Sequence, residues 1–298
     1  MRHVLAAFVA TVLSATAAAA EDWQVLIAPD RLAELIDSES PVILDIRAPK
    51  AYAKGHVEGA VNVPYGAWRG PKANPGELIP EKKLSLILSD AGVAPETPTI
   101  VTYQGAGTLD FGAAARVYWT LKSAGVERIA ILNGGLDSWT SAGHPLSTDH
   151  ESNLPSGRAF SFAETWKIDR ADVKAVLEGR EEAVLVDARP EAFFEGRRKH
   201  KAARRVGTLA GAVSLVHEVW FDKPVLVADR ASVLARLRDA GVDVNAPIVS
   251  FCNTGHWAAT NWFVLSEIAG LEDVRLYPES LVGWTQAGND VIVPTSVN

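Results

Sequence analysis

Cysteine is nearly missing from this 298-residue chain: there is one, Cys252. A single thiol excludes an intrachain disulfide framework, a dithiol redox pair and a cysteine-rich zinc site. Positive charge is not in excess either, with 29 Lys and Arg against 36 Asp and Glu and a formal net charge of -7. That balance argues against whole-surface attraction to nucleic acid or anionic lipid, so any anion has to be bound locally. Past the first twenty residues no run approaches the roughly 18 consecutive apolar residues of a membrane helix. With 23 Gly and 16 Pro the chain is neither collagen-like nor low-complexity, and 48% hydrophobic content leaves ample apolar surface for a core. The length favours two medium-sized domains over one large one.

The opening segment reads as a leader. Arg2 and His3 form a short positive region, Val4 to Leu13 is apolar but too short to span a bilayer, and Ala18-Ala19-Ala20 offers a small-residue cleavage site. Cleavage after Ala20 implies an exported, periplasmic protein without membrane attachment.

An internal repeat organises the rest of the chain. Pro41-Val-Ile-Leu-Asp45-Ile-Arg47 is echoed by Ala183-Val-Leu-Val-Asp187-Ala-Arg189, and Gly55-His-Val-Glu-Gly59-Ala60 by Gly207-Thr-Leu-Ala-Gly211-Ala212. Further on, Thr99-Ile-Val-Thr-Tyr103-Gln104 resembles Pro247-Ile-Val-Ser-Phe251-Cys252, which aligns Gln104 with the cysteine. Leu136-Asp-Ser-Trp139-Thr-Ser-Ala-Gly143 resembles Leu281-Val-Gly-Trp284-Thr-Gln-Ala-Gly288. The spacing grows from 142 to 152 after the Asp-x-Arg segments, so the second copy carries about ten extra residues around Glu195 to Val206. The expected organisation is a leader at 1–20, a first domain at 21–149, a polar linker at 150–158 and a second domain at 159–298.

Within each copy, strand-length apolar runs alternate with stretches of helical period. Strands are expected at 42–46, 100–103, 128–132, 184–188, 248–251 and 274–277, and helices at 29–38, 81–91, 109–124, 170–178, 230–240 and 258–269. In the last of these Ala258, Trp262, Leu265 and Ala269 fall on one face, and Gly270 ends it. This order predicts an α/β fold with a doubly wound, mostly parallel sheet in each half, flanked by helices, with sites at the carboxyl ends of the strands.

Cys252 follows directly on the run Ile248-Val-Ser-Phe251, and Cys252-Asn-Thr-Gly-His-Trp257 joins that strand end to a helix. The thiol is therefore expected at the mouth of the second domain. Loop amides and the positive end of the helix there favour a thiolate. A core-filling cysteine belongs instead in the strand or on the apolar helix stripe.

The tandem copies, the Asp-x-Arg and Gly-His-x-x-Gly-Ala segments, a cysteine loop in the second copy alone and the late Trp segment together resemble the two-domain rhodanese (thiosulfate sulfurtransferase) family. The resemblance spans nearly all of the chain after the leader. It implies two tandem rhodanese-like domains, the first inactive with Gln104 at the cysteine position, and a nucleophile at Cys252 that carries a sulfane sulfur as a persulfide. It also implies transfer from a small anionic donor such as thiosulfate to cyanide, a thiol or a sulfur-accepting protein, with Arg189 binding substrate.

The chemistry can be argued from the residues as well. Attack on thiosulfate needs a thiolate, and expulsion of sulfite needs negative charge to be stabilised; the N–H groups of Asn253, Thr254, Gly255, His256, Trp257 and Ala258 are candidates for both tasks without metal or organic cofactor. Arg189 suits an oxyanion through its planar fork, and its competing reading is an ion pair with Asp187 or Glu191. Thr254 is a candidate donor contact, His256 a proton source or positive group against a packing residue, and Trp257 a pocket wall. The basic run from Arg197 to Arg205 either steers anions to the site or is paired locally with Glu191 and Glu195. Because the residues after Cys252 match neither the basic loop of thiosulfate-type members nor the small polar loop of mercaptopyruvate-type members, 3-mercaptopyruvate remains an alternative donor. So does a relay module loaded only by a partner protein. A phosphatase needs Cys-x5-Arg, and that position is Ala258, so this reading fails unless an Arg arrives from elsewhere in the chain.

Overall fold

The computed structural model describes residues 23–222 and 224–294; the leader expected at 1–20 lies outside them. In the first half, β1 (Leu26–Ile27), β2 (Val42–Asp45), β3 (Ala60–Asn62), β4 (Thr99–Thr102) and β5 (Ile129–Leu132) form one sheet in the order β1-β5-β4-β2-β3. Every pairing in it is parallel. Short strands rich in Val, Ile and Leu, buried on both faces, are what a helix-covered parallel sheet requires. The covering helices are α1 (Pro29–Glu39), α2 (Pro49–Tyr52), α3 (Glu81–Asp90), α4 (Thr108–Ser123) and α5 (Gly135–Ser141). Prolines at the first turns of α1 and α2 suit a position whose N–H has no helical partner.

The second half repeats the plan. Its helices are α6 (Arg170–Leu177), α7 (Glu191–Phe194), α8 (Arg230–Asp239), α9 (Trp257–Phe263) and α10 (Ser280–Gln286). The strands β6 (Val184–Asp187), β7 (Val213–Ser214), β10 (Ile248–Phe251) and β11 (Val274–Leu276) form a parallel sheet in the order β11-β10-β6-β7. The strands β8 (Phe221–Asp222) and β9 (Val225–Leu226) make a separate antiparallel pair. Asp169 and Asp229 cap α6 and α8 through reciprocal capping boxes, which satisfies N–H groups that have no partner inside the helix. The predicted α/β class and parallel sheets are therefore found.

Strand register corrects one detail of the repeat. Asp45 faces Thr102 and Asp187 faces Phe251, so Thr102 corresponds to Phe251 and Tyr103 to Cys252. Loop hydrogen bonds agree: Leu136 N–H donates to the Tyr103 carbonyl as Leu281 N–H does to that of Cys252. Gln104 is thus not at the cysteine position; it corresponds to Asn253. The sequence match slipped by one because Ile100-Val-Thr102 and Ile248-Val-Ser250 are nearly identical, whereas the register pairs Ile100-Val-Thr102 with Val249-Ser-Phe251, and a shift of one residue in a sheet exchanges its two faces.

The two halves meet through equivalent helices, α4 against α9. Phe111, Tyr118, Trp262 and Phe263 join there into one core shared by both domains. The outer face of each sheet has its own smaller core. This contact explains a second departure from expectation. The stretch read as one amphipathic helix over 258–269 is α9 followed by a π turn at Val264–Ile268, and Ala259, Phe263 and Val264 are as buried as the predicted stripe. A helix wedged between its own sheet and another domain has no solvent face to make polar.

Candidate active site

Cys252 stands at the carboxyl end of β10 and opens the loop to α9, as the sequence implies. Its depth is different: the residue has 0% exposure, so the thiol is not at the mouth of the second domain. Solvent reaches the partly exposed Thr254, His256 and Trp257 and stops short of the sulfur. The first domain causes this, because its turn Tyr65–Trp68, the adjoining Arg69 and helix α4 close over the loop. Cys252 packs into the apolar core shared by the two domains, and its backbone N–H bonds the Ser280 hydroxyl.

The loop is held from both domains. Ser280 Oγ accepts the N–H of Cys252 at 3.0 Å and that of Gly255 at 3.2 Å, and donates to the Tyr277 carbonyl. Ser280 occupies the place of Gly135 in the first copy, and both have left-handed backbones, φ 51° and 61°. From the first domain, Arg69 Nη2 donates to the Thr254 carbonyl at 2.6 Å and Arg116 Nη1 to the Gly255 carbonyl at 3.1 Å. With two N–H groups and two carbonyls committed, the N–H groups of Asn253, Thr254, His256, Trp257 and Ala258 have no acceptor among the described residues. Unpaired amides in one short loop form a cradle for an anion.

Each predicted site residue has a definite place. Arg189 is 1% exposed; Nε and Nη2 grip both oxygens of Asp187, and Nη2 also donates to the Gly207 carbonyl at 2.8 Å. That is the ion-pair alternative weighed for it. Its Nη1 has no hydrogen-bond partner among the described residues, whereas in the first copy Arg47 Nη1 donates to Gln104 Oε1 at 3.2 Å. Asn253, one methylene shorter at the Gln104 position, is 4% exposed and leaves Oδ1 without a donor.

His256 is neither an acid nor a source of positive field. Its Nε2–H donates to the Leu109 carbonyl at 2.9 Å, so Nδ1 accepts from Tyr65 Oη at 2.8 Å. Burial, together with the Arg69 guanidinium, lowers its pKa from 6.5 to about 3, so the ring is neutral and pins the domains together. Trp257 stacks on His217 with centroids 5.3 Å apart and meets the edge of Phe193 at 5.6 Å, which makes it a wall. Its Nε1 and the His217 Nε2 are buried without partners. Burial also lowers the His217 pKa, and its Nδ1–H donates to the Ala188 carbonyl. Thr254 takes part through its carbonyl, and the Ala258 carbonyl accepts from Ser250 Oγ at 2.9 Å.

Part of the basic segment is paired where it lies. Arg197 bonds Glu195, Arg205 bonds Asp290, and Lys199 donates to the Ala203 carbonyl. Arg198 covers Phe193, whose ring touches Trp257 at the edge of the site.

Sequence reasoning did not identify Ser280, Tyr65, Arg69, Arg116 or His217. For Arg116 a signal existed: it interrupts the apolar stretch Phe111 to Leu121 within a helix. Burial, with Arg69 beside it, lowers the Arg116 pKa from 12.5 to about 9, while Tyr65 and Cys252 act in the opposite sense. The guanidinium is therefore charged at neutral pH.

Comparison with known proteins agrees with this architecture. The Rhodanese-like domain family matches the chain twice, over residues 28–142 and 169–287. A protein of Synechococcus elongatus, provisionally named a thiosulfate sulfurtransferase, is 30% identical over 286 residues, covering 92% of this chain and 86% of that one. The thiosulfate sulfurtransferase of Azotobacter vinelandii is 26% identical over 273 residues, covering 91% and 97%. Among solved structures, wild-type EanB superposes with a TM-score of 0.80 at 19% identity, over 91% of this chain and 69% of that one, which shows likeness of fold. The chain belongs to the rhodanese family, as a transferase built from two rhodanese-like domains with its one cysteine in the second.

Proposed function

We propose that this protein moves a sulfane sulfur from thiosulfate to a thiophilic acceptor, a thiol or cyanide, through a persulfide on Cys252. The observation that carries this reading is the set of unpaired N–H groups in the loop that Cys252 opens, in a site where no second cysteine exists. Relatives named thiosulfate sulfurtransferase support the choice of donor.

The thiolate attacks the outer sulfur of thiosulfate. An S–S bond forms to Sγ, the bond to the sulfonyl sulfur breaks, and the electron pair leaves on sulfite. The acceptor thiolate or cyanide then attacks the outer sulfur of the persulfide, and Cys252 departs as the thiolate with no net change of redox state. The small anionic sulfur suits the amide cradle, which stabilises charge on the persulfide and on the departing sulfite. Arg189, through Nη1, and Asn253, through its amide, contact the donor's oxygens, with Trp257 as the wall behind them.

Incubation of the purified protein with thiosulfate tests this. Sulfite is released, the chain gains the mass of one sulfur, and Cys252→Ala abolishes both. Faster loading from 3-mercaptopyruvate assigns that donor instead, and loading solely from a protein persulfide replaces the small-molecule reading with a relay. Processing after Ala20 places the enzyme in the periplasm, which N-terminal sequencing of the exported protein checks.

A further inference from the structure

Two guanidiniums of the first domain reach the cysteine loop of the second, and among the described residues no carboxylate pairs with them. Among the described residues neither Arg69 nor Arg116 makes a salt bridge; they bond carbonyls of Thr254, Gly255 and Gly76. Arg116 is 1% exposed. Its Nε and the Nη1 of Arg69 are sealed from solvent without a partner. Each guanidinium rests on an aromatic face, Arg69 on Tyr65 and Arg116 on Trp119, which offsets part of its burial; two like charges in one place still favour an anion beside them.

Pseudo-symmetry shows that the fold does not demand them. The turn Tyr65–Trp68 corresponds to His217–Trp220, so Arg69 corresponds to Phe221. Helix α4 begins at Thr108 as α9 begins at Trp257, so Arg116 corresponds to the buried Leu265. The pseudo-symmetric positions, on the second domain, are thus apolar, and the cations stand only where the neighbouring loop carries a cysteine. A purely structural need at the interface would recur on both sides.

Other titratable groups around the loop do not supply the missing charge. Tyr65 donates its hydroxyl proton to His256, which is neutral. His217 is bound to the Ala188 carbonyl, and Arg189 is paired with Asp187. Cys252 is the remaining group that ionises to an anion. Both arginines also grip consecutive carbonyls, which fixes the peptide planes whose opposite edges bear the loop N–H groups.

We infer that Arg116 and Arg69 are positioning residues through which the first domain, lacking a cysteine of its own, stabilises the negative charge of Cys252 and of the persulfide it carries. This rests on the reading of Cys252 as the nucleophile.

One thiol in the chain makes the test direct. The ultraviolet thiolate absorbance is followed against pH for the full protein and for Arg116→Gln, Arg69→Gln and Arg116→Lys, each referenced to the same protein with Cys252→Ala, with sulfite release from thiosulfate measured in parallel. In both glutamine variants the thiolate transition moves measurably to higher pH, the direction expected for loss of a nearby opposite charge. The pH profile of sulfite release moves with it, and lysine at 116 restores part of the shift. An unmoved transition in the folded glutamine variants overturns the inference, even where sulfite release falls. If Arg116→Gln does not fold, the half-buried Arg69→Gln decides. A wild type that releases no sulfite while its thiolate transition still responds to both arginines sinks the sulfur-transfer reading and, with it, the persulfide part of this inference, and leaves standing the part that concerns the thiolate.

Discussion

The Ser280 hydroxyl accepts the backbone N–H of Cys252 at 3.0 Å, tying the first residue of α10 to the residue that closes β10. Both Cys252 and Ser280 are fully buried, so this hydroxyl has no water to replace it. Ser280→Ala leaves two buried N–H groups without an acceptor, at about 1–3 kcal/mol each. Lower thermal stability and slower sulfur loading result. Ser280→Gly installs the residue that the first copy has at this place, Gly135, yet leaves the same N–H groups unbonded, and it too loads slowly. Loading at full rate by the glycine variant disproves a positioning role for the hydroxyl.

Acid weakens the interface between domains. The pKa of His256 is lowered in the folded state from 6.5 to about 3, chiefly by burial, and that of His217 is lowered as well. The unfolded chain therefore takes up protons that the folded one refuses, so stability is complete above about 6.5 and declines as pH falls from there toward 3. Urea midpoints between pH 7 and pH 4 show the decline, and His256→Gln flattens it. An equal slope in that variant removes His256 as the cause.

Arg189 matters for stability before it matters for substrate. Replacing it with Gln leaves Asp187, which is 0% exposed, facing only the Thr208 hydroxyl and the Arg189 N–H, and costs about 3–5 kcal/mol. Arg47→Gln in the first copy has a comparable effect, because Arg47 grips Asp45 and the Gly55 carbonyl in the same way. Denaturant unfolding of the two variants compares them. A loss below about 1 kcal/mol at Arg189 would mean that the guanidinium is free for other work.

Gly255 has no room for a side chain. A Cβ there meets Arg116 Nη1 at 2.4 Å and the Pro278 carbonyl oxygen at 2.5 Å, on a backbone with φ 66°. Gly255→Ala pushes the first domain off the loop, with strain of about 1–2 kcal/mol from the left-handed backbone alone. Iodoacetamide then alkylates Cys252 faster than in the wild type. An unchanged rate shows that the loop is sealed by something other than this contact.

Much of the fold is legible without coordinates because it rests on short-range rules. Apolar runs such as Ile248 to Phe251, alternating with helical periods, specify a parallel sheet, and paired Asp-x-Arg segments reveal the duplication. The cysteine loop is legible for the same reason, since a strand end followed by Gly255 and a helix puts the thiol at the edge of a sheet. Side-chain partners across the domain boundary leave no such pattern. Tyr65 and His256 are 191 residues apart, and Arg116 and Gly255 are 139 apart. Neither pair has a local period that marks it.

Residue order alone therefore determined the two-domain duplication, the α/β class, the loop with the lone thiol and the lack of any second thiol, because each depends on neighbours in the chain. Strand register decided that Tyr103 rather than Gln104 is the counterpart of Cys252, and packing of α4 on α9 decided that the sulfur lies beneath the surface with Arg69 and Arg116 at its loop. Register and interface contacts are set by which faces two sheets and two domains bury against each other, and that choice is made only when the whole chain has closed on itself.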